Sequence, residues 1–325
     1  MELTYTGNSS VNGFENREIN SVSYDWANNL RLTNPTQFNA FISNTQIFRP
    51  FPNYGSITFR TNGARSNYHA GTIKLEKRFS RGLSFLTFYT YSKGIDATSS
   101  NNLIPRNWDR AESSNNRTHQ YTGSMNYQIP FGKGRKWLNH GGVIDAIFGG
   151  FDMVYLYRIQ SGDALTFTFS GSPYQYMPGV VAVPANNRPN STGQRAELRD
   201  NWQDIGGNRF VQAAQNGLIN SMNDFTYPDA YTVGNVGRNT FDRQRFIDCQ
   251  FSASKEWKVK ERLTATFRFD FQNPFKWYNL SAPNTTVNFT NPATFGKVST
   301  STGDEGTTAN AGGQGLMNIT LSFRF

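Results

Sequence analysis

The chain has 325 residues, and its 32 Lys+Arg against 23 Asp+Glu give a net charge of +9, spread along the sequence with no basic arm. That spread argues against nucleic-acid binding, and a single cysteine, Cys249, excludes an intrachain disulfide and any Cys-based metal cluster. Hydrophobic residues make up only 37% while aromatics reach 15%, which favours β-structure over helices and argues against disorder.

No run of about 18 apolar residues exists, so no transmembrane helix is expected. The opening MELTYTGNSS lacks the charged, apolar and small-residue segments of a secretory signal. It reads as a strand from the first residues, 2–7, with Leu3 and Tyr5 set against Glu2, Thr4 and Thr6, as in a sequence cut from something longer.

Further along, 68–79 and 83–93 alternate less cleanly. Strand 120–129 then sets Tyr121, Met125, Tyr127 and Ile129 against Thr122, Ser124, Asn126 and Gln128. Strand 150–161 has Phe151, Met153, Tyr155, Tyr157 and Ile159 on one face. Strand 246–257 has Ile247, Cys249, Phe251, Ala253 and Trp257, interrupted by Lys255; strand 263–273 has Leu263, Ala265, Phe267, Phe269 and Phe271. The chain ends on 316–325, where Met317, Ile319, Leu321, Phe323 and Phe325 occupy every second position.

Apart from 2–7, each run is about ten residues, the length a tilted strand needs to cross a bilayer and longer than the usual strand of a soluble sandwich. The connections separate the two architectures. Short or compact links (SRG, KVKER and the segment 130–149) fall on one side, and long stretches rich in Asn, Ser, Thr, Gly and Pro (8–67, 94–119, 162–245 and 273–315) fall on the other. Short periplasmic turns opposite long external loops are the pattern of outer-membrane barrels. The expected fold is therefore all-β: a transmembrane antiparallel β-barrel portion of about eight membrane strands, located in the bacterial outer membrane. Fragments 55–62 and 295–301 also look strand-like and are read as hairpin arms or strand extensions above the membrane.

The ordered series RPFPNYG (49–55), SNYHAGTIKLEKRFSRGLSFLTFYTYSKGID (66–96), NRTHQYTGSMNYQIPFGKG (116–134), GNVGRNTFDRQRF (234–246) and KEWKVKERLTATFRFDFQNPFKWYN (255–279) resembles the C-terminal barrel of Oar-like TonB-dependent receptors. The resemblance covers most of the chain outside 8–45 and 165–230. It implies a gated outer-membrane receptor with a large barrel, an internal plug and often a regulatory-like front domain, worked through a periplasmic energy-coupling protein. Residues 1–325 would be the C-terminal part of such a barrel, without plug, coupling box or front domain. Met317, Ile319, Leu321, Phe323 and Phe325 resemble the C-terminal signal read by the barrel assembly machinery. The expected partners are outer-membrane lipid, the rest of the barrel with its plug, that coupling protein and the assembly machinery.

Little in the sequence commends chemistry. The three histidines His69, His119 and His140 fall in no metal-ligand spacing, no G-x-S-x-G elbow occurs, and FGKGRK (131–136) lacks the spacing of a phosphate loop. No catalytic, cofactor or metal site and no enzymatic activity are expected. The polar face with Arg158, Asp248, Glu256, Arg268 and Asp270 is expected to face the lumen, either as paired wall residues or as a solute path. Trp108, Tyr174, Tyr176, Trp202, Phe225 and Tyr231 in the external loops suit ligand capture, and equally suit plain loop packing. A self-contained small outer-membrane barrel acting in adhesion or anchoring is the alternative, with a soluble β-sandwich third.

Overall fold

The computed structural model describes residues 1–97, 110–132, 134–139, 142–170, 188–193, 196, 219, 222–232, 234–260, 263–275, 277, 279–298 and 315–325. Among them, eight long strands form one antiparallel sheet: β1 (Glu2–Glu18), β2 (Thr58–Ser80), β3 (Leu83–Ala97), β4 (His119–Gln128), β5 (Asp152–Gln160), β6 (Phe246–Lys260), β7 (Leu263–Gln272) and β8 (Leu316–Arg324). Each pairs with the next in chain order, and the two-residue strand Ala111–Glu112 adds to the outer end of β3. No described helix is long and apolar enough to cross a membrane.

The register turns separate alternations into one surface. Tyr89, Tyr121, Ile159 and Ile247 are matched in a row from β3 to β6, and Phe85, Met125, Tyr155, Phe251, Phe271 and Met317 in another from β3 to β8. Because side chains alternate with period two, one matched row places every strand's apolar set on the same face. Thr122, Arg158 and Asp248 form a row on the opposite, polar face. Such a sheet has one face suited to hydrocarbon and one suited to water.

The β2–β3 link is a two-residue turn in which Arg81 (φ 54°) and Gly82 (φ 79°) are both left-handed, between Ser80 and Leu83. Two positive φ values match the right-handed twist of the flanking strands and make a tight connection.

Two expectations need correction. First, β1 and β2 run to 17 and 23 residues and stay paired as far as Glu18↔Thr58, well beyond 2–7 and 68–79. That is up to twice the length of one crossing, so their outer halves stand above the membrane, and 55–62 is largely the start of β2. Most side chains of the outer halves are exposed, Glu15 and Ala64 excepted, so backbone pairing continues without apolar alternation to advertise it. Second, 295–298 is no strand: it follows the 3₁₀ turn Pro292–Thr294, with Val298 buried.

The stretch 19–57 also contains two short helices, α1 (Tyr24–Thr33) and α2 (Pro35–Ser43), around a core of Val22, Ala27, Leu30, Phe38 and Phe41. Pro35 opens α2, where its missing N–H costs nothing, and the Asn34 side chain caps it by accepting from the Gln37 amide at 3.1 Å. A second core gathers Phe167, Phe169, Ile219, Phe225, Val236, Phe241 and Val287 from three distant stretches. The polar loops thus fold into a cap with aromatic cores of its own.

Candidate functional site: the polar wall and the cap above it

On the polar face, Arg158 lies opposite Asp248, Arg268 opposite Ser254, and Asp270 opposite Ser252. Arg268 Nε donates to Asp270 Oδ1 at 2.9 Å, along one strand two residues apart. The Arg158 guanidinium also sits 4.9 Å over the Phe246 ring. Val154, Gln250, Ser252, Ser254, Arg268 and Asp270 line a shallow recess of about 380 Å³ in this wall. Of the five charged residues singled out from sequence, Arg268 and Asp270 form an ion pair and Arg158 and Asp248 are register partners on neighbouring strands. Glu256 stands apart near the inner end, exposed and opposite Thr266. The arrangement offers hydrogen-bond donors and acceptors of both signs.

The cap is fastened to the strand ends by polar clasps. Glu112 receives Lys93 Nζ at 2.6 Å and the Asn116 amide at 2.7 Å, while Asn116 Oδ1 accepts from the Gly94 amide at 2.9 Å. Arg238 pairs with Asp96, and Arg243 and Arg117 both pair with Asp163. Asparagines act as backbone substitutes. Asn279 exchanges two bonds with Ile247 (3.0 and 2.8 Å), extending the edge of β6 by one side chain. Fully buried Asn20 accepts from the Phe51 amide and faces the Phe51, Tyr54 and Gly55 carbonyls. Each such bond ties a peptide group to a side chain that is itself buried. The Asn-rich composition of the loops was visible in the sequence, but which asparagines pin which segments was not.

The clasp at Glu112 carries a pH dependence. Burial raises its carboxyl, but the bond to Lys93, the bond from Asn116, the Lys93 charge and the bond from Thr118 more than offset it and hold the group below its ordinary range. A carboxyl depressed in the folded state stabilises it above the unfolded value and loses that contribution as pH falls through the folded value. We expect the Gly94 amide, corrected for intrinsic exchange, to lose protection in acid below the ordinary glutamate range and to keep it at neutral pH. Glu112→Gln should flatten that dependence.

Of the loop residues proposed for ligand contact, Trp108, Tyr174, Tyr176 and Trp202 lie outside the described residues. Phe225 is 4% exposed and packs 4.5 Å from Phe167, so it belongs to the cap core and offers no ligand surface. Tyr231 stands edge-on to Phe38 at 5.0 Å and joins the two halves of the cap. For these two the packing role is the one observed. His69 and His119 bond through Nδ1 to the hydroxyls of Tyr5 (2.7 Å) and Tyr89 (2.8 Å) at the outer end of the apolar face. Aromatics with one wet and one apolar end belong at such a membrane interface. His140 lies outside the described residues, and no cluster of three or more metal-ligating side chains occurs among the described ones.

A family model described as outer membrane beta barrel domain matches residues 1–307. The chain belongs to that family. No curated protein and no solved structure matches it. The family locates the barrel in the bacterial outer membrane and makes the apolar face the lipid-facing one. Met317, Ile319, Leu321 and Phe323 of β8, each more than half exposed, then meet hydrocarbon.

Proposed function

We propose that the chain forms barrel wall and ligand-facing cap of an Oar-like TonB-dependent outer-membrane receptor that admits or recognises a solute. The observation that carries the reading is the open sheet. Among the described residues β1 pairs only with β2, and β8 only with β7. In hydrocarbon no open edge survives, because each unpaired peptide group lacks a partner. Further strands from the same receptor close the wall in this proposal, with a plug against its polar face, a periplasmic coupling protein that drives opening, and the assembly machinery reading β8. The folded cap above the wall suits solute capture, and the ordered series of motifs supports the family assignment. On this reading the chain produced alone does not give a compact, heat-modifiable monomer in detergent, whereas the receptor expressed from its own gene does. A heat-modifiable monomer of the 325-residue chain would instead support a self-contained small barrel used for adhesion or anchoring, and would overturn the receptor-wall reading.

A further inference from the structure

The turn between β4 and β5 is more than a connection. It carries a short helix, α3 (Gly142–Phe148), and is folded back on itself where Gly132 and Gly149 meet: a Cβ on Gly149 would stand 2.9 Å from the Gly132 Cα. The helix docks on strand β6 through two side chains. Lys255 Nζ donates to the Asp145 carbonyl at 2.7 Å and Trp257 Nε1 to the Ala146 carbonyl at 2.8 Å. These carbonyls belong to the last turn of the helix, where a cation is favoured by the helix dipole; the Asp145 oxygen also accepts from the Gly149 amide at 2.9 Å. Lys255 is only 5% exposed and also lies 5.4 Å from the ring centres of Phe151 and Trp257. The lysine that interrupts the apolar alternation of β6 is thus accounted for.

The side of docking decides what surrounds the helix. Lys255 is matched with Phe267 and Trp257 with Ala265, residues of the apolar face. The helix therefore sits against the outside of the wall, at the end of the strands opposite the cap. It turns Val143 (75% exposed), Ile147 (52%) and Phe148 (59%) away from the protein, continuous with the lipid-facing surface. Nearby, Trp137 is exposed, with the Lys136 ammonium 5.3 Å from its ring, and Arg135 stands beside them. An apolar helix face flanked by an indole and cations is the composition of a segment lying in a membrane interface.

We propose that 130–132, 134–139 and 142–149 form a membrane-embedded collar. It seats on the outer wall of the barrel in the periplasmic leaflet, places Val143, Ile147 and Phe148 among phospholipid acyl chains, and holds Arg135, Lys136 and Trp137 at the headgroups. The occupant of this surface is phospholipid, because the surface is an extension of a wall that already faces lipid.

The test uses the protein extracted from the outer membrane and reconstituted in phospholipid vesicles. Spin labels are placed singly at Val143→Cys and Ile147→Cys; the native Cys249 is 1% exposed and stays unlabelled. Ile319→Cys serves as a lipid-facing reference and Thr320→Cys as a polar-face reference. Collisions with oxygen, which concentrates in hydrocarbon, should exceed those with a water-soluble nickel chelate at 143 and 147 by a ratio several-fold above position 320 and at or below that of the deeper position 319. Chelate-dominated collisions at 143 and 147 would overturn the proposal by placing the collar in water. Neither quencher reaching the labels would also overturn it, showing that a second copy or another protein covers the helix. An aqueous reading at 319 as well would overturn the facing of the wall and the collar with it.

Discussion

Arginine at Ile319 is expected to keep the protein out of the outer membrane, whereas arginine at Thr320, one residue further on, is tolerated. Ile319 lies in the middle of β8, matched with Phe269 and 59% exposed on the apolar face; Thr320 is matched with Arg268 on the polar one. A guanidinium on the lipid face near mid-membrane costs about 2–4 kcal/mol, and a polar wall already carrying charge absorbs another at far less. A cost of that size acts on insertion as well as on stability. The amount of each variant that resists urea extraction from isolated outer membranes measures the difference. Equal loss for both would show that β8 does not present one face to lipid.

The second large effect is expected at Gly123. Valine there should cost about 3 kcal/mol, the upper end of what forcing extra atoms into a packed site does. In β4, Gly123 is matched with Thr87 of β3 and Tyr157 of β5. Its missing side chain lets the Tyr157 ring lie across the backbone: a Cβ would stand 2.6 Å from the ring carbon Cζ and 2.9 Å from the Leu86 carbonyl oxygen. In this position the Tyr157 hydroxyl reaches Thr87 Oγ1 at 2.8 Å and the Tyr121 hydroxyl at 3.2 Å. Three hydroxyls on a face that meets hydrocarbon are thereby linked, with Thr87 Oγ1 also donating to the Thr122 carbonyl at 3.2 Å, and displacing the ring would break the bonds that Tyr157 makes to the other two. The measurement is the urea midpoint of the reconstituted protein, read for Gly123→Val, Tyr157→Leu and the double variant. Tyr157→Leu removes the ring that the valine strikes, so the double variant should lose much less than the sum of the two. Strict additivity would show that the two positions do not share the space.

Gly123 also shows how a site can be half visible in sequence. The run YTGSMNYQI alternates Tyr121, Met125, Tyr127 and Ile129 with one gap, and a glycine in the gap of a strand signals a close approach of something to the backbone. What approaches was hidden, because Tyr157 lies on another strand and only the register brings it opposite. The polar wall behaves the same way. Period two alone puts Arg158, Asp248, Arg268 and Asp270 on faces opposite the aromatics, but the pairing of Arg158 with Asp248 depends on which residue of β5 meets which residue of β6. For the cap, residue type left two readings open: Phe225 among Asn and Ser suited ligand capture and loop packing alike, and it is a core residue. Its partner Phe167 is 58 positions away, beyond any local pattern.

What the sequence determined by itself is the part of the molecule that lipid dictates. A strand with hydrocarbon on one side and water on the other must alternate for as long as it is immersed, so the membrane runs, their facing and the placement of long and short connections could all be read from composition and period. What only the tertiary structure decided lies where that constraint ends. Above the membrane, no hydrocarbon imposes alternation, so the extensions of β1 and β2 and the helices α1 and α2 left no comparable signal. At the opposite end, Lys255 broke the alternation of β6 without explanation until α3 was seen to lie across it, offering two helix-end carbonyls to Lys255 and Trp257 from residues 110 and 111 positions earlier in the chain.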